Sequence, residues 1–499
     1  MTQTSTFQFT SELFDLIRSA LPENQPIYLV GGAVRDALLG KPTHDFDFIV
    51  PEDVFATGRR FANALNAAYY PLDEVRETVR IVLISPDGPR QVFDFATQRG
   101  TNLEEDLRSR DFTINAMALA VHDPQKLIDP LGGAKDLIDG LLRPCSETAF
   151  LDDPVRIIRA VRQAVSFKLY IPPETKQLIT RSVNQLPDIS PERIRDELFR
   201  IFDGPQPAAA LRSLDKLGAL KYLLPELDQL KDVPQPPPHI SDAWSHSWDC
   251  IRKLDDILKV LASDHDPEAA ANWALGMVSI RLGRYREQLD AHLSKKLNPG
   301  RSIRSIMLFA ALYHDIGKPK TRQITDNGRI QFLKHEQIGA EMIRDRALKL
   351  RLSNHEIDRL SSILRHHMRP LLLTQTGALP SRRAVYRFFR DCRASGVDIC
   401  LLSLADVMAT YGPTLPKDMW ISHLDTVRVL LEAWWERKES DIAPPALING
   451  NDLIETFGVE PGPFIGYLLE AIRESQAAGE LINRDDALRF AQAWLNENQ

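Results

Sequence analysis

The sequence predicts an α/β amino-terminal domain, a mixed sheet with helices on one side, followed by an almost wholly α-helical remainder. Three observations carry this prediction. A glycine pair, one short helix's worth of residues and an alternating apolar–acidic segment follow one another in LVGGAVRDALLGKPTHDFDFIV, Leu29 to Val50. From about Leu151 the pattern becomes helical. A proline-rich break, DVPQPPPH from Asp232 to His239, reads as a stiff linker into a new unit.

The first of these segments carries chemistry. Phe46, Phe48, Ile49 and Val50 give strand character to the stretch holding Asp45 and Asp47. On a strand, positions i and i+2 project from one face, so both carboxylates point the same way. They would repel unless a cation sat between them, and Mg²⁺ is the usual answer. Gly31 and Gly32 let backbone N–H groups approach a phosphate, and Arg35 can follow the same anion from the next helical turn. Together the parts suit two-metal chemistry on a nucleoside triphosphate. A third carboxylate is expected at Asp94, in the strand-like VFDFA.

Further along, EDLRSRDFTINAMA (Glu105 to Ala118) contains the polar positions Arg110, Asp111 and Asn115. In LDDPVRIIRAVRQAVSFKL (Leu151 to Leu169), Asp153, Arg156, Arg159 and Arg162 recur every three residues on an expected helix, with Val155, Ile157, Ile158 and Val161 between them. That spacing makes a slowly spiralling polar stripe. An aspartate beside an arginine presents an acceptor and a fork of donors, the groups needed to read a base edge.

The GGxxRD segment followed by DxD on a strand resembles the nucleotidyltransferase superfamily that includes polymerase beta. More narrowly, it is similar to the class II tRNA nucleotidyltransferase and bacterial poly(A) polymerase family. Arg110, Asp111 and Asn115 match that family's RRDFTINA motif, with Ser109 standing where a further arginine is usual. LIDPLGGAKDLIDGLLRP (Leu127 to Pro144) looks like the connection out of the catalytic sheet. LDDPVR matches EDxxR with Asp152 in place of glutamate, and SPERIRDELFRIF (Ser190 to Phe202) resembles the helix after the neck. The resemblance implies catalysis by Asp45, Asp47 and Asp94 with Mg²⁺, and a nucleotide site at Gly31, Gly32, Arg35, Arg110, Asp111 and Asn115. It implies that Asp153 and Arg156 select CTP and ATP in place of a template, while Arg159 and Arg162 hold phosphates. LDEVRETV, Leu72 to Val79, corresponds in position to a flexible loop that some members use to switch nucleotide, but it is short and charged here.

The second half carries different chemistry. His246, the pair His314-Asp315 in ALYHDIGKP, His335 in LKHEQIGA, His366-His367 in RHHMRP and Asp406 in LSLADVMA follow in order. They resemble the HD superfamily of metal-dependent phosphohydrolases, an all-helical fold. The resemblance assigns His246, His314, Asp315 and Asp406 to a four-ligand core for a divalent metal. It assigns His335 and His367 to positions seen in members holding more than one metal; His367 is preferred to His366 because it directly precedes MRP. Such ligands suit a transition metal or Mg²⁺, and the centre can make a nucleophile from water.

Composition bounds the remaining choices. A chain of 499 residues with 43% hydrophobic content can form several packed units. No run has the length and apolarity of a membrane span, and MTQTSTFQFT lacks the basic and apolar regions of a secretory signal, which points to the cytoplasm. The four cysteines, Cys145, Cys250, Cys392 and Cys400, have no metal spacing and read as thiols in a reducing compartment. A net charge of −7 excludes a uniformly basic RNA coat, so RNA contacts must come from local arginine and lysine patches.

The expected organisation is a catalytic domain at 1–145, a helical neck and RNA-binding region at 146–232, an HD body at 239–412 and a helical tail at 413–499. Gly204-Pro205 and Leu224-Pro225 are expected helix stops, and Phe464 begins an amphipathic helix in the tail. The expected activity is addition of C and A nucleotides from CTP and ATP to the 3′ end of tRNA, with an HD phosphohydrolase activity beside it. The rivals are an enzyme adding only CC or only A, a poly(A) polymerase, and a phosphohydrolase or RNA-binding module with a vestigial transferase domain. The oligomeric state stays open.

Overall fold

The computed structural model describes residues 11–21, 25–84, 90–265, 268 and 272–498; the first ten residues, read above for a leader, lie outside them. By its internal contacts the chain forms two compact units, residues 1–189 with 213–222, and residues 190–212 with 223–499. The division falls inside the region expected as the neck, not at the prolines of 232–239.

The first unit is built on a mixed sheet. In chain order it contains α1 (Ser11–Ala20), β1 (Tyr28–Val30), α2 (Gly32–Leu38), β2 (Asp45–Val50), α3 (Val54–Leu65), β3 (Ala68–Asp73), β4 (Thr78–Leu83), β5 (Gln91–Thr97), α4 (Leu103–Arg108), β6 (Ala118–Ala120), β7 (Asp123–Ile128) and α5 (Gly133–Ile138). The strands lie in the order β3-β4-β5-β2-β1-β6-β7. Only β2 and β5 run parallel; the other pairs are antiparallel.

Alternation along β2 and β5 decides which face is core. Phe46 stacks on Phe93 with ring centroids 5.3 Å apart, and Phe48 on Phe95 at 4.9 Å. Phe61 of α3 closes on both β5 rings, and Phe14 and Ile17 of α1 join the same buried cluster. Each such side chain contributes roughly 1.5–3 kcal/mol of burial. With the phenylalanines turned inward, the intervening aspartates must turn outward. The opposite face is not bare, as helices on one side alone would leave it. Val30 and Ile49 are covered there by Leu107 of α4 and by Ala116 and Ala118. Leu72 to Val79, expected as a flexible loop, is ordered as the end of β3, a turn and the start of β4, with Val75 exposed at the tip.

After the sheet come α6 (Ala149–Asp152), α7 (Arg156–Phe167) and α8 (Pro173–Ser182). The expected stops are observed: one helix ends at Phe202 before Gly204-Pro205, and another at Leu223 before Pro225. Among its described residues the second unit is helical apart from two small hairpins, Lys296–Asn298 with Arg301–Ser302 and Arg322–Ile324 with Ile330–Phe332. Helices Ile303–Tyr313 and Gly396–Tyr411 are buried on nearly every side, as their uniformly apolar sequences require. The tail helices Gly450–Phe457, Pro463–Ala477 and Arg484–Asn498 share their own core around Leu453, Leu468 and Leu495. No helix among the described residues is long and apolar enough to cross a membrane.

Candidate functional site

In the first unit, register brings the acidic residues together. Asp47 pairs laterally with Val30 of β1 and with Asp94 of β5, so the two carboxylates stand side by side on one face. Asp45, two residues earlier on the same face, is exposed. Asp94 is already engaged. Arg80 of β4, its cross-strand partner, donates to both of its oxygens, Nε at 2.8 Å and Nη2 at 2.7 Å. Asp45, Asp47 and Asp94 do not form a group of donor atoms within 4.8 Å of one another among the described residues.

Solvent reaches Asp47, yet protein hems it in, and the lost hydration pushes its pKa up to about 6. Arg110 and Arg80 pull it down, while Asp94 and Asp45 push it further up. A carboxylate held under that strain is a group that a divalent cation would relieve. Gly31 lies directly beside it with φ +75°; a Cβ there would stand 3.2 Å from Asp47 Oδ2 and 3.3 Å from Arg110 Nη1. Both the backbone conformation and the close approach demand glycine.

The other expected nucleotide residues form one hydrogen-bonded network centred on Asn115. Its Oδ1 accepts from Arg35 Nη1 at 2.6 Å, and its Nδ2 donates to Asp111 Oδ1 and Gln163 Oε1, each at 3.0 Å. Arg159 Nη1 donates to Asp111 Oδ2 at 3.2 Å. Arg35 is 8% exposed, donates also to Asp36, and lies over the Phe167 ring at 4.1 Å. It ties three segments together from inside the fold. Gly32 stands at the first position of α2, against the Arg35 guanidinium. Arg110 donates to Asp106 at 3.2 Å.

Asp153, Arg156, Arg159 and Arg162 are all half-buried while Ile157, Ile158 and Val161 are buried, so the stripe exists. The helix, however, starts only at Arg156; Asp153 is extended, at the end of α6, because Pro154 follows it. Arg156 bends back to donate to the carbonyls of Ser109 at 2.9 Å and Ala149 at 3.3 Å. Arg80 and Gln163 were missed by sequence reasoning. The alternation of β4 would have placed Arg80 on the carboxylate face; Gln163, inside an apolar helix face, gives no signal.

In the second unit the histidines converge. His246 Nε2 lies 3.2 Å from His314 Nε2 and 3.0 Å from Asp406 Oδ1. His314 Nε2 is 3.2 Å from Asp315 Oδ2, and His335 Nε2 is 3.4 Å from Asp315 Oδ1 and from His367 Nε2. Two groups of donor atoms result, His246, His314 and Asp315, and Asp315, His335 and His367, each within 4.8 Å, with Asp315 common to both. His366, by contrast, is outside both groups. Nδ1 of His314, His335 and His367 donates to the carbonyls of Ala311, Phe332 and Leu364 at 2.7–2.8 Å. That leaves each Nε2 turned toward the cluster, where it can carry a proton or meet a metal. Two facing nitrogen lone pairs repel, so the donor set suits a cation between them.

Electrostatics agree with that reading. Burial opposes the charge on Asp315, yet His314 and Lys318 hold its carboxyl well below the usual range. Burial likewise opposes a charged His314, and Asp315 still holds its pKa well above normal. His367 is pushed down to about 3 by burial, then by His335 and His314. Lys318, whose Nζ lies 2.6 Å from Asp315 Oδ2, was not assigned from sequence, although its place three residues after the HD pair was a signal. Gly317 leaves no room for a Cβ against the His335 carbonyl, which explains the glycine in HDIGK.

The proline segment is not a linker. Lys318 Nζ donates to Gln235 Oε1 at 2.5 Å, Ile240 N to the Thr410 carbonyl at 3.2 Å and Ala243 N to the Val233 carbonyl at 2.9 Å. His239 packs edge-on against His246, ring centroids 5.3 Å apart. Through these contacts the segment lies as a strap against the histidine cluster.

Family models match four segments: a Poly A polymerase head domain at 27–143, an RNA and SrmB-binding site of polymerase A at 168–231, an HD domain at 278–411 and a tRNA nucleotidyltransferase domain 2 at 440–491. The chain is 32% identical to an A-adding tRNA nucleotidyltransferase of Deinococcus radiodurans, over 96% of this chain and 98% of that one. It is 30% identical to a CC-adding tRNA nucleotidyltransferase of Thermus thermophilus, over 93% of both. A multifunctional CCA protein of Cupriavidus metallidurans is 33% identical over 72% of this chain and 79% of its own. Among solved structures, a CCA-adding enzyme in complex with ATP shares the fold at a TM-score of 0.62, with 22% identity over 97% of this chain and 95% of that one. The Thermotoga maritima CCA-adding enzyme complexed with tRNA does so at 0.55, with the same identity and coverage.

Proposed function

Because the chain belongs to the tRNA nucleotidyltransferase and poly(A) polymerase family, with an HD domain in its second half, we propose that it adds C and A nucleotides from CTP and ATP to the 3′ end of tRNA without a template. The observation that carries this reading is the carboxylate face: Asp45 and Asp47 are reachable, and Gly31 and Arg110 border Asp47. Asp45 and Asp47 would hold Mg²⁺, and Asp94 would join them on giving up Arg80. When bound, Mg²⁺ would activate the tRNA 3′-hydroxyl and neutralise the triphosphate as diphosphate leaves. Gly31 and Gly32 let the backbone approach the triphosphate, and Arg110 offers it a cation. Asp153 and Arg156 read the base edge, while Arg159 and Arg162 face phosphates. Arg35, Asp111 and Asn115 brace the floor of that site through their shared hydrogen bonds.

The second site is proposed as a phosphohydrolase centre. His246, His314, Asp315 and Asp406 would hold a divalent metal, with Asp315, His335 and His367 forming the adjoining position. A cation there would supply an activated water and take the place of the proton that His314 otherwise keeps.

A second reading, a partial enzyme adding only CC or only A, is favoured by one observation. An A-adding and a CC-adding relative match in sequence over 96% and 93% of the chain, whereas a multifunctional CCA protein matches 72% of it. Three tRNA substrates decide between the readings: one lacking CCA, one ending in C and one ending in CC, each given labelled CTP or ATP alone. Full activity predicts C incorporation on the first two and A on the third; failure in one class identifies the partial enzyme. Repeated A addition to any RNA end would identify a poly(A) polymerase, and no incorporation would sink the proposal.

A further inference from the structure

The carboxylate face of the first unit continues past the residues assigned to it. Asp47 pairs laterally with Val30 on one side and Asp94 on the other; Asp94 pairs with Arg80, and Arg80 with Tyr70. Lateral partners project from the same face, so Val30, Asp47, Asp94, Arg80 and Tyr70 form one row across β1, β2, β5, β4 and β3. The row is closed at one end and open at the other. Leu107, Ala116 and Ala118 cover Val30. Asp94 and Arg80 are half-buried, and Tyr70, on the edge strand, is 52% exposed.

Two adjacent tyrosines show what this placement means. Tyr69 turns to the core side of the sheet, where the Arg59 guanidinium lies over its ring at 3.8 Å. Tyr70 turns to the carboxylate side and has no hydrogen-bond or ring partner among the described residues. An exposed tyrosine on a strand needs no ligand to explain it, since the residue type favours strands. Its row sets it apart: beside it stands a guanidinium, and beside that a carboxylate of the transfer site.

Gly31 fixes the direction in which the row is used. With Arg110 it lies against Asp47 at the end of β1, where backbone and cation can meet a triphosphate. In-line transfer puts the attacking and leaving oxygens on opposite sides of the phosphorus. The attacking strand must then arrive from the far side of Asp47, over Asp94, Arg80 and Tyr70. Two strand spacings of about 4.8 Å separate Asp94 from Tyr70, a distance that one nucleotide spans.

We propose that Tyr70 and Arg80 form the subsite for the 3′-terminal nucleotide of the acceptor RNA: the ring stacks on its base, and the guanidinium leaves Asp94 for its phosphate. This subsite presupposes that the carboxylate face performs the transfer, and it adds where the attacking strand lies. It also couples two events, because the phosphate that draws Arg80 away frees the Asp94 carboxylate. Stacking holds any base, which suits an end whose identity changes with each addition.

The test uses the full-length protein and a tRNA lacking CCA whose terminal base is replaced by 2-aminopurine, a fluorophore that dims when stacked on an aromatic ring. The bound probe should be brighter on Tyr70→Ala than on the wild type by about twofold or more, and KM for tRNA should rise about tenfold. KM for the nucleotide should stay within about twofold. Tyr70→Phe, which keeps the ring, should restore both. Arg80→Gln should make the log–log salt slope of tRNA binding shallower by about 0.7, the share of one phosphate on a single strand. Unchanged probe emission and tRNA KM in Tyr70→Ala would overturn the proposal. So would an equal rise in the nucleotide KM, which would put the ring on the incoming base. Failure of Tyr70→Phe to restore them would make Tyr70 a support of the sheet, and an unaltered salt slope in Arg80→Gln would overturn the release of Arg80. If the wild type adds no nucleotide, the transfer reading fails, and the probe still decides whether Tyr70 meets an RNA end.

Discussion

The carboxylate face of the first unit and the histidine cluster of the second are both suited to divalent metal, but they are built in opposite ways. Asp45 and Asp47 are reachable from solvent, and the adjacent Asp94 is held by Arg80. His246, His314, Asp315 and His367 are at most 2% exposed, and the ring orientations of His314 and His367 are locked by backbone carbonyls. In the first site Arg80 occupies Asp94 and Arg110 borders Asp47, so its carboxylates are not yet gathered for a metal. The second has its full donor set before anything binds. A transferase that must accept and release a large RNA at each addition fits the open arrangement, and a hydrolytic centre that keeps its ion fits the closed one.

The largest effect expected from breaking this contrast is at Asp47. Asp47→Ala should lower nucleotide addition by about 10³-fold or more, some 4 kcal/mol of lost transition-state stabilisation. Metal retained by the histidine cluster should be unaffected. Near-normal incorporation by this variant would remove the carboxylate face from the mechanism.

The reciprocal change sharpens the comparison. His314→Ala should empty or weaken the second site, seen as lower metal content by elemental analysis after dialysis, and abolish phosphoester cleavage. Nucleotide addition should continue within about twofold, since its residues belong to the other unit. If addition is lost while circular dichroism and melting stay native, the two chemistries are not independent.

A smaller effect is expected at Arg156. If it reads a base edge, Arg156→Ala should relax discrimination against UTP and GTP by about ten- to hundredfold, or roughly 1–3 kcal/mol. Equal slowing with all four nucleotides would make Arg156 a brace for the Ser109 and Ala149 carbonyls it already reaches.

Periodicity and motif order anticipated much of this molecule. The twin DF pairs of DFDFIV and VFDFA foretold strands with phenylalanine on one face and aspartate on the other, because alternation has only two outcomes. The helix stops at Gly204-Pro205 and Leu224-Pro225 rest on equally local rules. Partnerships between distant residues were not recoverable in this way. Nothing local to Asp94 reveals that Arg80 covers it, since the pairing depends on the antiparallel register of β4 on β5. Spacing places Arg35 one helical turn after the glycines, and nothing local reveals its partner Asn115, 80 residues away. The prolines of 232–239 suggested a spacer because composition reports stiffness and says nothing of where a stiff segment lies.

That proline strap has a consequence for the life of the second site. Gln235 holds Lys318, Lys318 lies on Asp315, and His239 stands against His246, so the strap and the ligands form one packed layer. A change in the strap would therefore be felt at the ligands without touching one of them: losing the Gln235 hold on Lys318 would free the cation that faces Asp315, and with it the charge balance that any metal there would meet.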